Sequence, residues 1–279
     1  MTNEAPVAVI TGCGKPDGMG AAIARRLAAE GRTVVVTDRE PRGVVNAGQT
    51  ADQDRGLDEL VAEIRDAGGT AEAMLGDVGS PEDVERILAG VQERYGRLDI
   101  LVNNAAAPQG ADRVDVVDVP LEAWDLQLRV NLTGAFLMAR AAVPLMRERR
   151  YGRIVTISSM AGVEAAGRST AYSASKAGVL GMTRALAMDV AGWGITANAV
   201  CPGLVATSRS MLGRTGEDRT EAMTRMSERI AVGRVGTPED IAHVVAFFAH
   251  EASGYVTAQT IGVDGGGFSP YAVGRPTER

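Results

Sequence analysis

Two side chains able to do proton chemistry stand four residues apart, Tyr172 and Lys176, in the run Tyr172-Ser-Ala-Ser-Lys176. Their neighbours Ala174, Ala177, Leu180 and Met182 are good helix formers, so this spacing stacks phenol and amine on one helix face. A pair of this kind also decorates many solvated helix faces. Composition sharpens the signal, because of 29 basic residues only Lys15 and Lys176 are lysines. Lysine is a compact point charge able to shift its pKa, whereas arginine is a flat fork that stays charged. An ammonium about 6 Å from a phenol favours the phenolate by roughly 2–3 kcal/mol at an effective dielectric near 20. A phenol tuned in that way can exchange a proton with an alcohol or carbonyl oxygen. Ser159, thirteen residues before Tyr172, follows the β-rich run Arg153-Ile-Val-Thr-Ile157 and can hold the same oxygen.

Such chemistry needs a partner to take up electrons, and the N-terminal stretch suggests one. Val7-Ala-Val-Ile10 reads as a short buried strand running into Thr11-Gly-Cys-Gly-Lys-Pro-Asp-Gly-Met-Gly20, and a helix from Ala21 to Glu30 follows. Strand, glycine-rich turn and helix together form a pyrophosphate site, where backbone N–H groups and the helix N-terminus meet the anion. An ordinary glycine-rich turn is the plainer alternative. The second strand, Thr33-Val-Val-Val-Thr37, ends in Asp38, placed to accept hydrogen bonds from an adenosine ribose diol.

Composition excludes several other classes. A chain of 279 residues, 45% hydrophobic, can bury one full core as a single large α/β domain. A net charge of −6 leaves no basic excess for nucleic acid. No apolar run is long enough to span a membrane, and the N-terminus lacks a signal-peptide pattern, so the expectation is a cytoplasmic protein. Two cysteines, Cys13 and Cys201, are too few for a disulfide framework or a thiolate zinc site. The only histidines, His243 and His250, fall on one late helix, so a Ser-His-Asp hydrolase or a histidine metal site is not expected.

The rest of the chain alternates strand and helix. Helices are expected at Leu57–Ala67, from Pro81 to near Tyr95, Leu121–Arg149, around Tyr172 and at Pro238–His250. Further strands are expected at Thr70–Leu75, Leu98–Val102, Arg153–Ser158, Ile195–Val200 and Gln259–Val263. Residues 41–55 are polar and aperiodic and read as an inserted loop. Residues 204–229, rich in methionine and charge, suit a substrate lid, and 269–279 read as a tail. Alternation of this kind demands a doubly wound parallel sheet, with ligands at the carboxyl ends of its strands. The glycine loop, Asp38, Asp77, Asn103, Ser159 and Pro202-Gly203 all occupy such ends.

In this order the pieces resemble a short-chain dehydrogenase/reductase: Thr11-Gly12…Gly18-x-Gly20, Asp77-Val78, Asn103-Asn104-Ala105, Asn131, Ser159, Tyr172-x-x-x-Lys176, Pro202-Gly203 and Thr207. The resemblance covers about residues 5 to 268 and implies a single Rossmann-type domain of about seven strands. It implies Tyr172 as general acid/base, Ser159 polarising the substrate oxygen, Lys176 holding the nicotinamide ribose, and Asn131 anchoring a relay water. It also implies a dinucleotide contacted by Gly12, Gly18, Met19, Gly20, Asp38, Arg39, Asp77, Val78, Asn104, Ala105, Pro202, Gly203, Val205 and Thr207. Asn103 too is expected against the cofactor, and a homotetramer is implied in which the Asn131 and Tyr172 helices pack between subunits.

Three departures stand out. Five residues separate Gly12 from Gly18 where the family has three, Ala106 replaces a usual glycine, and 41–55 is longer than usual. The resulting expectation is an NAD-dependent, metal-free oxidoreductase that interconverts a secondary alcohol and a ketone, with Asp17 and Asp38 both disfavouring a 2′-phosphate. A 3-oxoacyl-thioester reductase is the alternative within the family. It would want a basic docking surface, for which Arg147, Arg149, Arg150 and Arg153 are candidates, though these residues also fit a helix end. A dinucleotide-binding regulator without turnover is the remote alternative.

Overall fold

A computed structural model describes residues 5–44, 56–164, 167–210 and 216–267; most of the inserted loop and the expected tail lie outside them. Seven parallel strands form one sheet in the order β3-β2-β1-β4-β5-β6-β7. They are β1 (Val7–Thr11), β2 (Thr33–Asp38), β3 (Thr70–Leu75), β4 (Ile100–Asn103), β5 (Gly152–Ile157), β6 (Ile195–Pro202) and β7 (Thr260–Val263). The chain order reverses between β1 and β4, so their carboxyl ends form the crevice where such sheets take ligands.

The period-2 geometry of the central strands divides the core in two. Ala8 and Ile10 of β1 face α1 (Met19–Ala29), α2 (Leu57–Asp66) and α8 (Pro238–Ala249). Val7 and Val9 face the opposite layer of α3 (Pro81–Tyr95), α5 (Gly134–Arg149) and α6 (Thr170–Val190). Every residue of β1, β4, β5 and β6 is buried, which is why these strands read as apolar runs rather than alternating ones.

Helix ends follow local chemistry. Ser80 accepts from the Asp83 N–H ahead of Pro81, and Gly96 closes α3 in the left-handed region at φ 62°. Thr237 and Asp240 form a capping box that starts α8. The helix expected over 121–149 forms, but in three parts: α4 (Leu121–Leu128), a π-turn over Arg129–Thr133, and α5. Among the described residues of 204–229, α7 (Gly216–Ser227) is the one regular element.

Candidate active site

A cleft runs along the carboxyl ends of the strands, from Asp38 and Arg39 past the glycine loop to Tyr172 and Lys176. Its floor is pinned by Thr11. The Thr11 hydroxyl accepts the N–H groups of Asn104 and Ala105, each at 3.0 Å, while Asn104 Nδ2 donates to the carbonyls of Thr11 and Gly12. The ends of β1 and β4 are thereby locked together. Gly12 sits at φ 76°, and a Cβ there would come 2.7 Å from the Ala105 Cα, so only glycine fits.

The enlarged glycine loop folds over the end of β2. Gly12 and Cys13 both donate to the Thr37 carbonyl, and Gly14 donates to Asp38 Oδ2 at 2.9 Å. Gly14 also packs directly on the backbone of Gly43, where the inserted loop begins. The neck of that insertion is closed by the Leu57 N–H donating to the Pro41 carbonyl. Asp38 receives a second bond from the Arg39 N–H at 2.8 Å. Burial pushes its pKa up, against the pull of the Gly14, Arg39 and Glu40 N–H groups and of nearby Lys15.

The proton-handling end is built by α6 and the end of β5. Lys176 Nζ donates to the Ile157 carbonyl at 2.8 Å, and Ser158 Oγ donates to the Lys176 carbonyl at 2.8 Å. Nζ lies 5.9 Å from the centre of the Tyr172 ring, close to the separation expected for helical neighbours four apart. Burial, seconded by the Arg209 guanidinium, lowers the Lys176 pKa to about 7. The Arg113 guanidinium stacks 4.8 Å from the centre of the phenol ring and donates to Ser169 Oγ. Ser159 Oγ accepts the Ala161 N–H at 3.1 Å, which leaves its own proton to donate elsewhere.

Several expected residues take places the motifs did not specify. Asn131 is buried at the π-turn, and its side chain is fully engaged: Oδ1 accepts from Ala107 N, and Nδ2 donates to Gln127 Oε1 and Ser175 Oγ. It braces the loop after β4 against α6. Asn103 turns away, donating to the Ala135 carbonyl, so of the two asparagines Asn104 is the one that faces the cleft. Gly12, Gly18, Met19, Asp38, Arg39, Asp77, Val78, Asn104, Ala105 and Thr207 line the cleft with Tyr172 and Lys176. Gly20, Pro202, Gly203 and Val205 instead shape the backbone beneath it. A Cβ on Gly20 would strike the Gly12 carbonyl at 2.4 Å, and one on Gly203 would strike Asp264 at 2.6 Å. Val205 is buried and bridges to Gly236. Asp77 accepts from Gly79 N and from Arg129 Nη1.

Asp17 also has a structural role. Its two oxygens accept the Ser208 N–H at 2.6 Å and the Ser208 hydroxyl at 2.9 Å, tying the glycine loop to the segment after β6. Arg209, next in that segment, donates to the carbonyls of Ala106 and Ala107. Neither Ser208 nor Arg209 carried a motif signal, and both lie about a hundred or more residues from their partners in sequence.

The arrangement fits a dinucleotide on its own evidence. Asn104 Oδ1 and Thr37 Oγ1 are buried acceptors without a hydrogen-bond partner among the described residues, and both side chains belong to residues that border the cleft. Gly12, Gly14, Gly18 and Gly20 let the turn at the start of α1 pack tightly on its own backbone and on the ends of its neighbours, since a Cβ at each would meet main-chain atoms.

Comparison with known proteins agrees. A family profile described as "Enoyl-(Acyl carrier protein) reductase" matches residues 12–267. The short-chain reductase protein NovJ of Streptomyces niveus is 40% identical over 266 residues, which cover 95% of this chain and 94% of that one. The 3-oxoacyl-[acyl-carrier-protein] reductase FabG of Thermotoga maritima is 38% identical, over 95% of this chain and 99% of its own. Among solved structures, levodione reductase superposes with a TM-score of 0.83 at 29% identity, covering 95% of this chain and 98% of that one. A single-substitution variant of actinorhodin polyketide ketoreductase with NADPH superposes with a TM-score of 0.81 at 35% identity, over 95% and 98% of the two chains. This chain belongs to the short-chain dehydrogenase/reductase family and is an oxidoreductase of the Rossmann fold.

Proposed function

We propose that the protein interconverts a secondary alcohol and a ketone with NAD(H). The observation that carries this reading is one continuous cleft joining Asp38 and the glycine loop to Tyr172 and Lys176. Gly12, Gly18, Met19, Asp38, Asn104 and Thr207 would hold the dinucleotide, which when bound supplies the hydride acceptor or donor. Tyr172 takes the hydroxyl proton in oxidation and returns it in reduction. Ser159, with its proton free to donate, orients the same oxygen. Lys176 holds the ribose and, in its protonated form, supplies charge beside the phenol. Each polar atom of the Asn131 side chain is already engaged in bracing the site, and we assign its part in a relay to the main chain of the π-turn, a feature that recurs at functional sites.

The choice of NAD over NADP rests on Asp38, whose carboxylate closes β2 at the adenosine end. Residues 204–229 are read as the lid. Free, buried Cys13 and Cys201 suit a reducing cytoplasm, and no helix among the described residues is long and apolar enough to cross a membrane. Phe136 on α5 and Met188 on α6 leave apolar side chains exposed on the two helices through which a homotetramer would pack.

The thioester reading has support in the names of relatives such as FabG. Three of the four arginines it would use also have structural contacts, while Arg149 is exposed. Arg147 and Arg150 stack on Trp193, and buried Arg153 donates to the carbonyls of residues 152, 194, 250 and 251. A panel of secondary alcohols and ketones, with and without a 3-oxoacyl thioester, followed at 340 nm with NAD(H), tests both readings. Turnover confined to the thioester would replace the first reading with the second, and no cofactor-linked change with any of them would overturn both.

A further inference from the structure

The segment after β6 is shaped to hold out two residues. At its root, Ala206 donates to the Gly236 carbonyl at 2.8 Å, and Gly236 donates back to the Leu204 carbonyl at 3.0 Å. At its far end Thr207 and Ser210 knot together, with the Thr207 N–H donating to Ser210 Oγ and Ser210 N–H to Thr207 Oγ1. Ser208 and Arg209 lie between. Ser208 is clasped by both oxygens of Asp17 across the cleft. The guanidinium of Arg209 then crosses to the carbonyls beyond β4. A dinucleotide laid from Asp38 to Tyr172 must pass this crossing.

We propose that Arg209 is a binding residue for the pyrophosphate of the dinucleotide, aimed into the cleft by the Asp17–Ser208 clasp. The proposal rests on the dinucleotide reading of the cleft given above. Two of its partners, at Ala106 and Ala107, are neutral carbonyls, which a phosphate anion outcompetes for a guanidinium fork. Lys15 lies on the glycine loop in the same cleft, near enough that Arg209 helps burial to lower its pKa. Lys15 and Arg209 thus line one cleft that passes the N-terminus of α1, where the fold places anions. Asp17 and Asp38 offset part of this positive charge, both acting against the lowering of the Lys15 pKa. The enlarged loop also gains a reason. Asp17 directly precedes Gly18, and the two additional residues between Gly12 and Gly18 give it the reach to meet a segment 191 positions away.

The test is calorimetric titration of the intact protein with ADP-ribose, which carries the pyrophosphate without nicotinamide, and with adenosine, which carries no phosphate. Arg209→Met should weaken ADP-ribose by about ten- to a hundredfold, the scale of one charge-assisted contact, and leave adenosine within about twofold. Arg209→Lys should restore most of the loss. An equal loss for both ligands, or none for ADP-ribose, overturns the proposal. Should Arg209→Met not fold, Ser208→Ala removes a clasp bond without touching charge. It should weaken ADP-ribose selectively, and unchanged binding there is equally fatal. Failure of the unmodified protein to bind ADP-ribose at all would instead overturn the dinucleotide reading, and this proposal with it.

Discussion

Lys176 and Ile157 are joined by a 2.8 Å hydrogen bond from Nζ to the main-chain carbonyl at the end of β5. The bond holds the amine buried beneath the phenol and ties α6 to the sheet, with Ser158 Oγ returning a bond to the Lys176 carbonyl. A guanidinium is too broad for this seat. Lys176→Arg keeps a positive charge yet should lose most turnover, because the rigid fork cannot place charge at that one point. Near-normal steady-state rates in the Arg variant would show that charge alone suffices.

The same burial makes stability depend on pH. Burial first, then the nearby Arg209, brings the Lys176 pKa down to about 7, while Cys201 acts the other way and Tyr172 is the ring it faces. In the unfolded chain a lysine titrates near about 10.4. Between about 7 and 10.4 the unfolded chain therefore binds the extra proton, so this contribution to stability rises with pH across that window and is flat below it. Urea unfolding at about pH 6.5 and about pH 9.5 should show the unmodified protein gaining on Lys176→Met by a few kcal/mol at the higher pH. Parallel behaviour of the two would mean that the amine is not desolvated.

Tyr172→Phe keeps the ring that Arg113 stacks on and removes only the hydroxyl. Cofactor affinity should stay within a few-fold, while turnover falls at least about a thousandfold, within the range for deleting a general acid/base. Stopped-flow hydride transfer and a separate binding titration distinguish the two effects. A Phe variant with near-normal transfer would remove Tyr172 from the mechanism.

What could be read in advance follows from how local each determinant is. Strand ends are announced by apolar runs that stop at Asp38, Asn103 or Pro202, so the topology and the line of the cleft were legible. Tyr172 and Lys176 were legible because helical spacing alone brings them together. The two asparagines after β4 were not separable by pattern. Alternation sends one inward and one to the cleft, and which is which depends on where pairing ends; Asn103 still pairs with Thr156, so Asn104 faces the cleft. The Asn131 helix hid its π-turn, because no residue type there breaks a helix. Asp17 reads as a charge repelling a 2′-phosphate, and only the return of Ser208 from 191 residues away shows which group its oxygens accept from. Arg209 was invisible for the same reason.

Cofactor choice is the last expectation, and the geometry narrows what decides it. Asp17 keeps its negative charge, but its oxygens are turned to Ser208 rather than to a ribose, so it acts on a 2′-phosphate only through space. Asp38 remains. The N–H groups of Gly14, Arg39 and Glu40 fix the carboxylate's orientation, and its four lone pairs leave acceptor capacity beyond these three. A ribose diol can donate to those positions, worth roughly 2–3 kcal/mol in charge-assisted bonds, whereas a 2′-phosphate would lose them and meet a carboxylate. Lys15 works against this, since it lies close enough to Asp38 to lower the carboxylate's pKa. Arg39 does not add to it strongly, because its guanidinium is 3.4 Å from Glu40. The balance favours NAD by roughly 30- to 150-fold in kcat/KM. Asp38→Ala should erode the preference mainly by weakening NAD, with loss of the Gly14 anchor adding to the effect. Asp17→Arg should not admit NADP in proportion to its charge, because it breaks the Ser208 clasp, and both cofactors should bind more weakly. Equal efficiency with NAD and NADP in the unmodified protein would show that Lys15 outweighs Asp38.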